Sequence, residues 1–145
     1  MTVLNHVGLC VTDLDRSRRF YEVLFGFETA RSLEVPDRPA DRLLQIEAPL
    51  GMTALYLRKD GFTLELMTFA RDGNPPPRNR PVNEPGLTHL SFSVDNVRAA
   101  AARAAELGSE VLEDTDVGAA LFVRDPDGQL IELLPMAYRR SIGDG

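Results

Sequence analysis

The chain has no tryptophan, a single cysteine, two histidines, and fewer basic residues than acidic ones, 16 against 22. The lone cysteine, Cys10, excludes an internal disulfide and fits a reducing compartment, so the cytoplasm is the expected location. A net charge of −6 leaves no basic face for a nucleic acid, and no such partner is expected. No apolar run approaches the roughly 18 residues of a membrane span, and the N-terminus lacks the basic-then-apolar pattern of a signal peptide, so no membrane partner is expected either. What is there, in 145 residues, is enough for one domain to bury a core without staples.

Two stretches, Gly61-Phe62-Thr63-Leu64-Glu65-Leu66-Met67 and Gly128-Gln129-Leu130-Ile131-Glu132-Leu133-Leu134, are near copies, and each sets a carboxylate inside an apolar strand. Successive strand residues alternate between faces, which puts Glu65 and Glu132 opposite their leucine and isoleucine neighbours. A carboxylate so placed needs a charge, a set of donors or a metal. His6 and His89, the only histidines, each stand near the start of an alternating strand, so the order along the chain is His, Glu, His, Glu.

The pattern around them repeats. Residues 3 to 11 read as a strand, Thr12 or Asp13 as a helix cap, Leu14 to Phe25 as an amphipathic helix ended by Gly26, and 27 to 34 as a second strand. Pro36 to Asp41 reads as a loop, 42 to 47 and 52 to 58 as strands around the Ala48-Pro49-Leu50-Gly51 turn, and Lys59-Asp60-Gly61 as a turn into the Glu65 strand. Residues 70 to 86, with five prolines, three arginines and two glycines, form a linker or cleft wall in which Arg71, Arg78 and Arg80 are solvated charges. A strand from His89 to Val94, a helix capped by Asp95 and ended by Gly108, and strands near 109 to 113, 118 to 124 and 129 to 134 follow. The last turn is Asp125-Pro126-Asp127-Gly128, and from Pro135 the tail reads as polar and loosely held.

His6 to Gly26 is 20 residues and His89 to Gly108 is 19, while Gly61 to Glu65 and Gly128 to Glu132 are both 4. His to Glu spans 59 residues in the first half and 43 in the second, with the excess between Gly26 and Gly61. Each half is thus one copy of a duplicated unit. The expected organisation is a single domain over 1–145: a first module (1–70), a linker (71–86), a second module (87–136) and a short tail.

A lone strand histidine or glutamate is usually a satisfied core or surface residue, but all four here occupy matching places in a duplicated unit. Two imidazoles and two carboxylates suit one borderline divalent ion, nickel, zinc, cobalt, manganese or ferrous iron. Without a thiolate, a closed structural zinc site is the less natural reading. Such an ion stabilises negative charge on a substrate carbonyl oxygen when a proton leaves the neighbouring carbon. Glu65 and Glu132 are then candidate catalytic bases as well as ligands. Cys10 reads as a small packed residue.

These residues resemble the vicinal oxygen chelate superfamily, which includes glyoxalase I, methylmalonyl-CoA epimerase, extradiol ring-cleaving dioxygenases, and fosfomycin- and bleomycin-resistance proteins. The resemblance is carried by His6-Val7-Gly8-Leu9, Asp13 through Tyr21, Leu24-Phe25-Gly26-Phe27, Leu64-Glu65-Leu66, His89 through Val94, and Asp125-Pro126-Asp127-Gly128 with Ile131-Glu132-Leu133. It implies an α+β fold of two βαβββ modules forming an open half-barrel sheet. It also implies metal ligands at His6, Glu65, His89 and Glu132, a small-molecule substrate, and a homodimer across which short bacterial relatives complete the site. Cys10 and Phe69 stand where glyoxalase I has its glutathione-binding arginine and asparagine, so the implied activity is a glyoxalase-like or epimerase-like lyase or isomerase that does not use glutathione. A ferrous ring-cleaving dioxygenase and a drug- or natural-product-binding resistance protein are the alternatives. The fourth ligand occupies a position oxygen would need, which counts against the first, and binding proteins of the second kind generally lack the ligands.

Overall fold

The computed structural model describes residues 1–141. Its contacts divide the chain into two compact units, Met1–Pro76 and Pro77–Gly145, with the division inside the proline-rich segment. The first contains β1 (Val7–Cys10), α1 (Leu14–Phe25), β2 (Glu28–Val35), α2 (Asp37–Leu44), β3 (Met52–Lys59) and β4 (Phe62–Phe69). The second contains β5 (His89–Val94), α3 (Val97–Glu106), β6 (Glu110–Leu112), a 3-10 turn (Glu113–Thr115), β7 (Leu121–Arg124), β8 (Leu130–Pro135) and α4 (Met136–Ser141). Their sheets run β1-β4-β3-β2 and β5-β8-β7-β6, each with its outer pair β1·β4 or β5·β8 parallel and the others antiparallel. Strand, helix, three strands is therefore built twice, as an α+β fold with two open four-stranded sheets. Among the described residues no helix is long and apolar enough to cross a membrane.

Local chemistry explains the elements. Asp13 caps α1 by accepting from the Arg16 amide at 2.9 Å, and Gly26 ends it at φ 72°, where a side chain would be strained. Phe20 and Tyr21 on its inner face are fully buried, their rings edge to face at 5.2 Å. In the hairpin, Asp60 and Gly61 both take positive φ, which makes a two-residue turn and fixes the β3–β4 register from Lys59↔Phe62 to Tyr56↔Glu65 and beyond. Period-two alternation then sorts the first sheet. Leu55, Leu57, Leu64 and Leu66 are buried on one face, while Met52, Ala54, Tyr56, Glu65, Met67 and Phe69 share the other.

Four sequence expectations are corrected. Within residues 36 to 47, expected as a loop and then a strand, Asp37–Leu44 form the helix α2, followed by Gln45 in the left-handed region. Arg38 sits at non-helical angles because Pro39 forces its predecessor toward extended backbone. Ala40 and Leu50 are buried with Met52 and Ala54, and Leu44 and Ile46 pack against them, so α2 covers the far end of the Glu65 face. The Leu43-Leu44-Gln45-Ile46 run that mimics a strand is a helix end and its cap. Second, Asn96 rather than Asp95 caps α3, accepting from the Ala99 amide at 2.9 Å. Third, β1 is shorter than residues 3 to 11, and Met1, Val3 and Leu4 stand exposed before it. Fourth, the tail after Pro135 forms α4 against β5 and β8, with Arg139 and Arg140 in the last turn, where cations favour a helix end. Residues 142–145 of that tail lie outside the described residues.

Candidate metal centre

Each unit brings together one of the predicted histidines and one of the predicted glutamates. In the first, β1 lies parallel to β4 with Gly8 opposite Glu65, so His6, two residues earlier on the same face, reaches the carboxylate. His6 Nε2 stands 3.1 Å from Glu65 Oε2. In the second, Ser91 lies opposite Glu132, and His89 Nε2 stands 3.7 Å from Glu132 Oε2. Glu65 is buried, with 8% of its surface exposed, whereas Glu132 is half-buried. Among the described residues no three His, Cys, Asp or Glu side chains gather as a metal cage.

The surroundings orient both pairs. Asn5 Oδ1 lies 2.6 Å from His6 Nδ1 and steadies the ring with Nε2 toward Glu65. A ring nitrogen and a carboxylate oxygen at 3.1 Å need a proton or a cation between them. Thr88 Oγ1 takes the matching place in the second unit, 2.8 Å from His89 Nδ1. Each imidazole also meets an aromatic ring at right angles from the strand beyond the glutamate strand: Tyr56 of β3 at 5.7 Å from His6, Phe122 of β7 at 5.5 Å from His89.

Each carboxylate receives one hydroxyl, but from opposite sides. Tyr56, facing Glu65 across β3–β4, donates to Oε1 at 2.7 Å. Its counterpart facing Glu132 is Phe122, which has no hydroxyl. There the donor is Ser91, at 2.8 Å to Oε2, and its counterpart in the first unit is Gly8. The hydroxyl has moved from one flanking strand to the other between the two copies. In Glu65 the oxygens divide the work, Oε1 to Tyr56 and Oε2 to His6. In Glu132 both partners sit on Oε2. The Glu65 hydrogen bond, followed by burial and the carboxylate's charge, raises the Tyr56 phenol above its ordinary value of 10.0.

The donor chemistry fits a divalent ion. Ligands about 2.1 Å from a metal lie about 3.0 Å apart at a right angle and about 3.4 Å apart at the tetrahedral angle; the His6–Glu65 pair, at 3.1 Å, falls in that range and the His89–Glu132 pair, at 3.7 Å, lies just beyond it. Outer contacts of this kind fix ring tautomer and carboxylate orientation in metal sites. Tyr56 and Ser91 were missed in reading the sequence. The two-residue Asp60-Gly61 turn carries the signal for Tyr56, since it places residue 56 opposite 65. Cys10 is exposed rather than packed.

The comparisons with known proteins agree with this architecture. A family model described as the Glyoxalase/Bleomycin resistance protein/Dioxygenase superfamily matches residues 3–133. The chain belongs to that superfamily. Within it, the chain is 28% identical over 163 aligned positions to lactoylglutathione lyase of Pseudomonas aeruginosa, covering 99% of this chain and 88% of that one. It is 27% identical over 139 residues to the ethylmalonyl-CoA/methylmalonyl-CoA epimerase of Cereibacter sphaeroides, covering 90% and 95%. A glyoxalase family protein from Bacillus cereus matches with a TM-score of 0.79 at 20% identity, over 93% of this chain and 94% of that one, a likeness of fold.

Proposed function

We propose that this superfamily member is a divalent-metal-dependent isomerase or lyase in which His6, Glu65, His89 and Glu132 hold one nickel, zinc, cobalt, manganese or ferrous ion. The observation that carries the reading is the repetition of one geometry, an imidazole Nε2 facing a strand carboxylate at 3.1 Å and again at 3.7 Å, with each ring's Nδ1 engaged by a side chain. When bound, the ion supplies Lewis acidity toward a substrate carbonyl oxygen.

The chain's own residues do the rest. His6 and His89 turn their Nε2 atoms toward the glutamates, and Tyr56 keeps Glu65 in one orientation. Glu132, half-buried and with both its contacts on one oxygen, is the proton carrier. It takes a proton from the carbon beside the carbonyl and returns it to the adjacent carbon for an isomerisation; for an epimerisation Glu65 delivers a proton to the opposite face of the same carbon. The substrate class is a small molecule with two neighbouring oxygens, such as an α-hydroxy carbonyl, thioester or hemithioacetal. Cys10 and Phe69 supply no charge for a glutathione carboxylate. The protein works as a cytoplasmic homodimer in this reading.

The test is solvent exchange. In deuterium oxide, metal-loaded protein should wash the proton from the carbon next to the carbonyl of a substrate drawn from those classes. Glu132→Gln should fold normally and lose that exchange by at least about a hundredfold, the span general base catalysis contributes. An active Glu132→Gln protein would overturn the assignment.

A further inference from the structure

The proline-rich segment before β5 holds a built structure around Arg80. Its Nε donates to Glu84 Oε1 at 3.0 Å, and its two Nη atoms donate to the carbonyls of Leu87 at 3.0 Å, Pro85 at 2.9 Å and Glu84 at 3.4 Å. One guanidinium thus gathers three backbone carbonyls of residues 84 to 87, a task for a planar fork of donors that a lysine cannot reproduce. Gly86 makes room for it: its φ is 132°, and a Cβ there would stand 2.9 Å from Arg80 Nη2. No apolar anchor replaces this clamp, because Leu87 is 79% exposed. The residue after the clamped turn is Thr88. Its carbonyl accepts from Gln129 Nε2 at 3.3 Å, and its hydroxyl lies 2.8 Å from His89 Nδ1. Among the described residues the first unit shows no such clamp before His6, where Met1, Val3 and Leu4 are exposed.

We infer that Arg80 is a positioning residue for His89: its guanidinium fixes the 84–87 turn, which sets Thr88 and through it the imidazole that faces Glu132. The inference rests on His89 as a metal ligand only for its functional consequence. The ring's orientation is a property of the metal-free chain. Arg78 is the natural control: among the described residues it meets the Glu84 carboxylate, at 3.0 Å, and none of the carbonyls that Arg80 gathers.

With only two histidines in the untagged chain, both rings can be followed by long-range proton–nitrogen correlation spectra. In metal-free Arg80→Lys the His89 ring signals should shift or broaden while those of His6 stay in place, and cobalt(II) affinity should fall about 10- to 100-fold, the usual effect of losing an outer support. Gly86→Ala, which drives a methyl into the guanidinium, should reproduce both changes. Arg78→Ala should cause neither. Unmoved His89 signals in both Arg80→Lys and Gly86→Ala overturn the inference whether or not cobalt binds. If the wild-type chain binds no cobalt, the metal-enzyme reading fails by itself, and the ring signals still decide the role of Arg80.

Discussion

At the scale of single residues, the two carboxylates differ in how much the protein invests in them. Glu65 is buried, and its Oε1 depends on the Tyr56 hydroxyl. Removing a donor from a buried charged acceptor costs about 1.5–3 kcal/mol. Tyr56→Phe should therefore lower stability by about 2 kcal/mol in denaturant titration, whereas Ser91→Ala, beside a carboxylate that water can reach, should cost less than about 1 kcal/mol. Equal losses would contradict the assignment of Glu65 as the fixed ligand. The four candidate ligands stand out in the sequence because rare residue types recur in a repeated apolar context. Ser91 and Arg80 were not. A serine in a strand carries no signal of its own, and Arg80 acts on carbonyls whose convergence depends on an irregular loop without a period.

At the scale of elements, α1, α3 and the strands were readable where periodicity and caps agree, as in Asp13 and Gly26 around α1. Helix α2 was hidden because Pro36 and Pro39 read as helix breakers. Pro36, however, lies just before the first turn, and Pro39 distorts only Arg38. What holds α2 is tertiary: Leu50, fully buried against Ala40, Met52 and Ala54, and the Leu50 amide bound to Asp37 Oδ1 at 2.9 Å. Leu50→Ala should cost about 2–5 kcal/mol by thermal or chemical unfolding, as large-to-small changes in packed clusters do. A loss under about 1 kcal/mol would mean that α2 does not depend on this cluster. The α4 helix was missed for the opposite reason: six residues are too few to show an amphipathic period.

At the scale of the whole molecule, the proposed homodimer has each copy of the chain contributing both kinds of half-site. Mixing His6→Ala with His89→Ala subunits should then restore one intact four-ligand set per mixed dimer, because the mutated halves fall together in the other. Recovery of metal binding on mixing checks this, and its failure would mean that each chain completes its own site. Elemental analysis of the untagged protein beside His6→Ala and His89→Ala tests the proposal that the His6–Glu65 and His89–Glu132 pairs are halves of one metal centre. One nickel, cobalt, zinc, manganese or iron per chain is expected in the wild type, lost in each variant. A wild-type protein that carries no such metal and takes none up when it is added would contradict it.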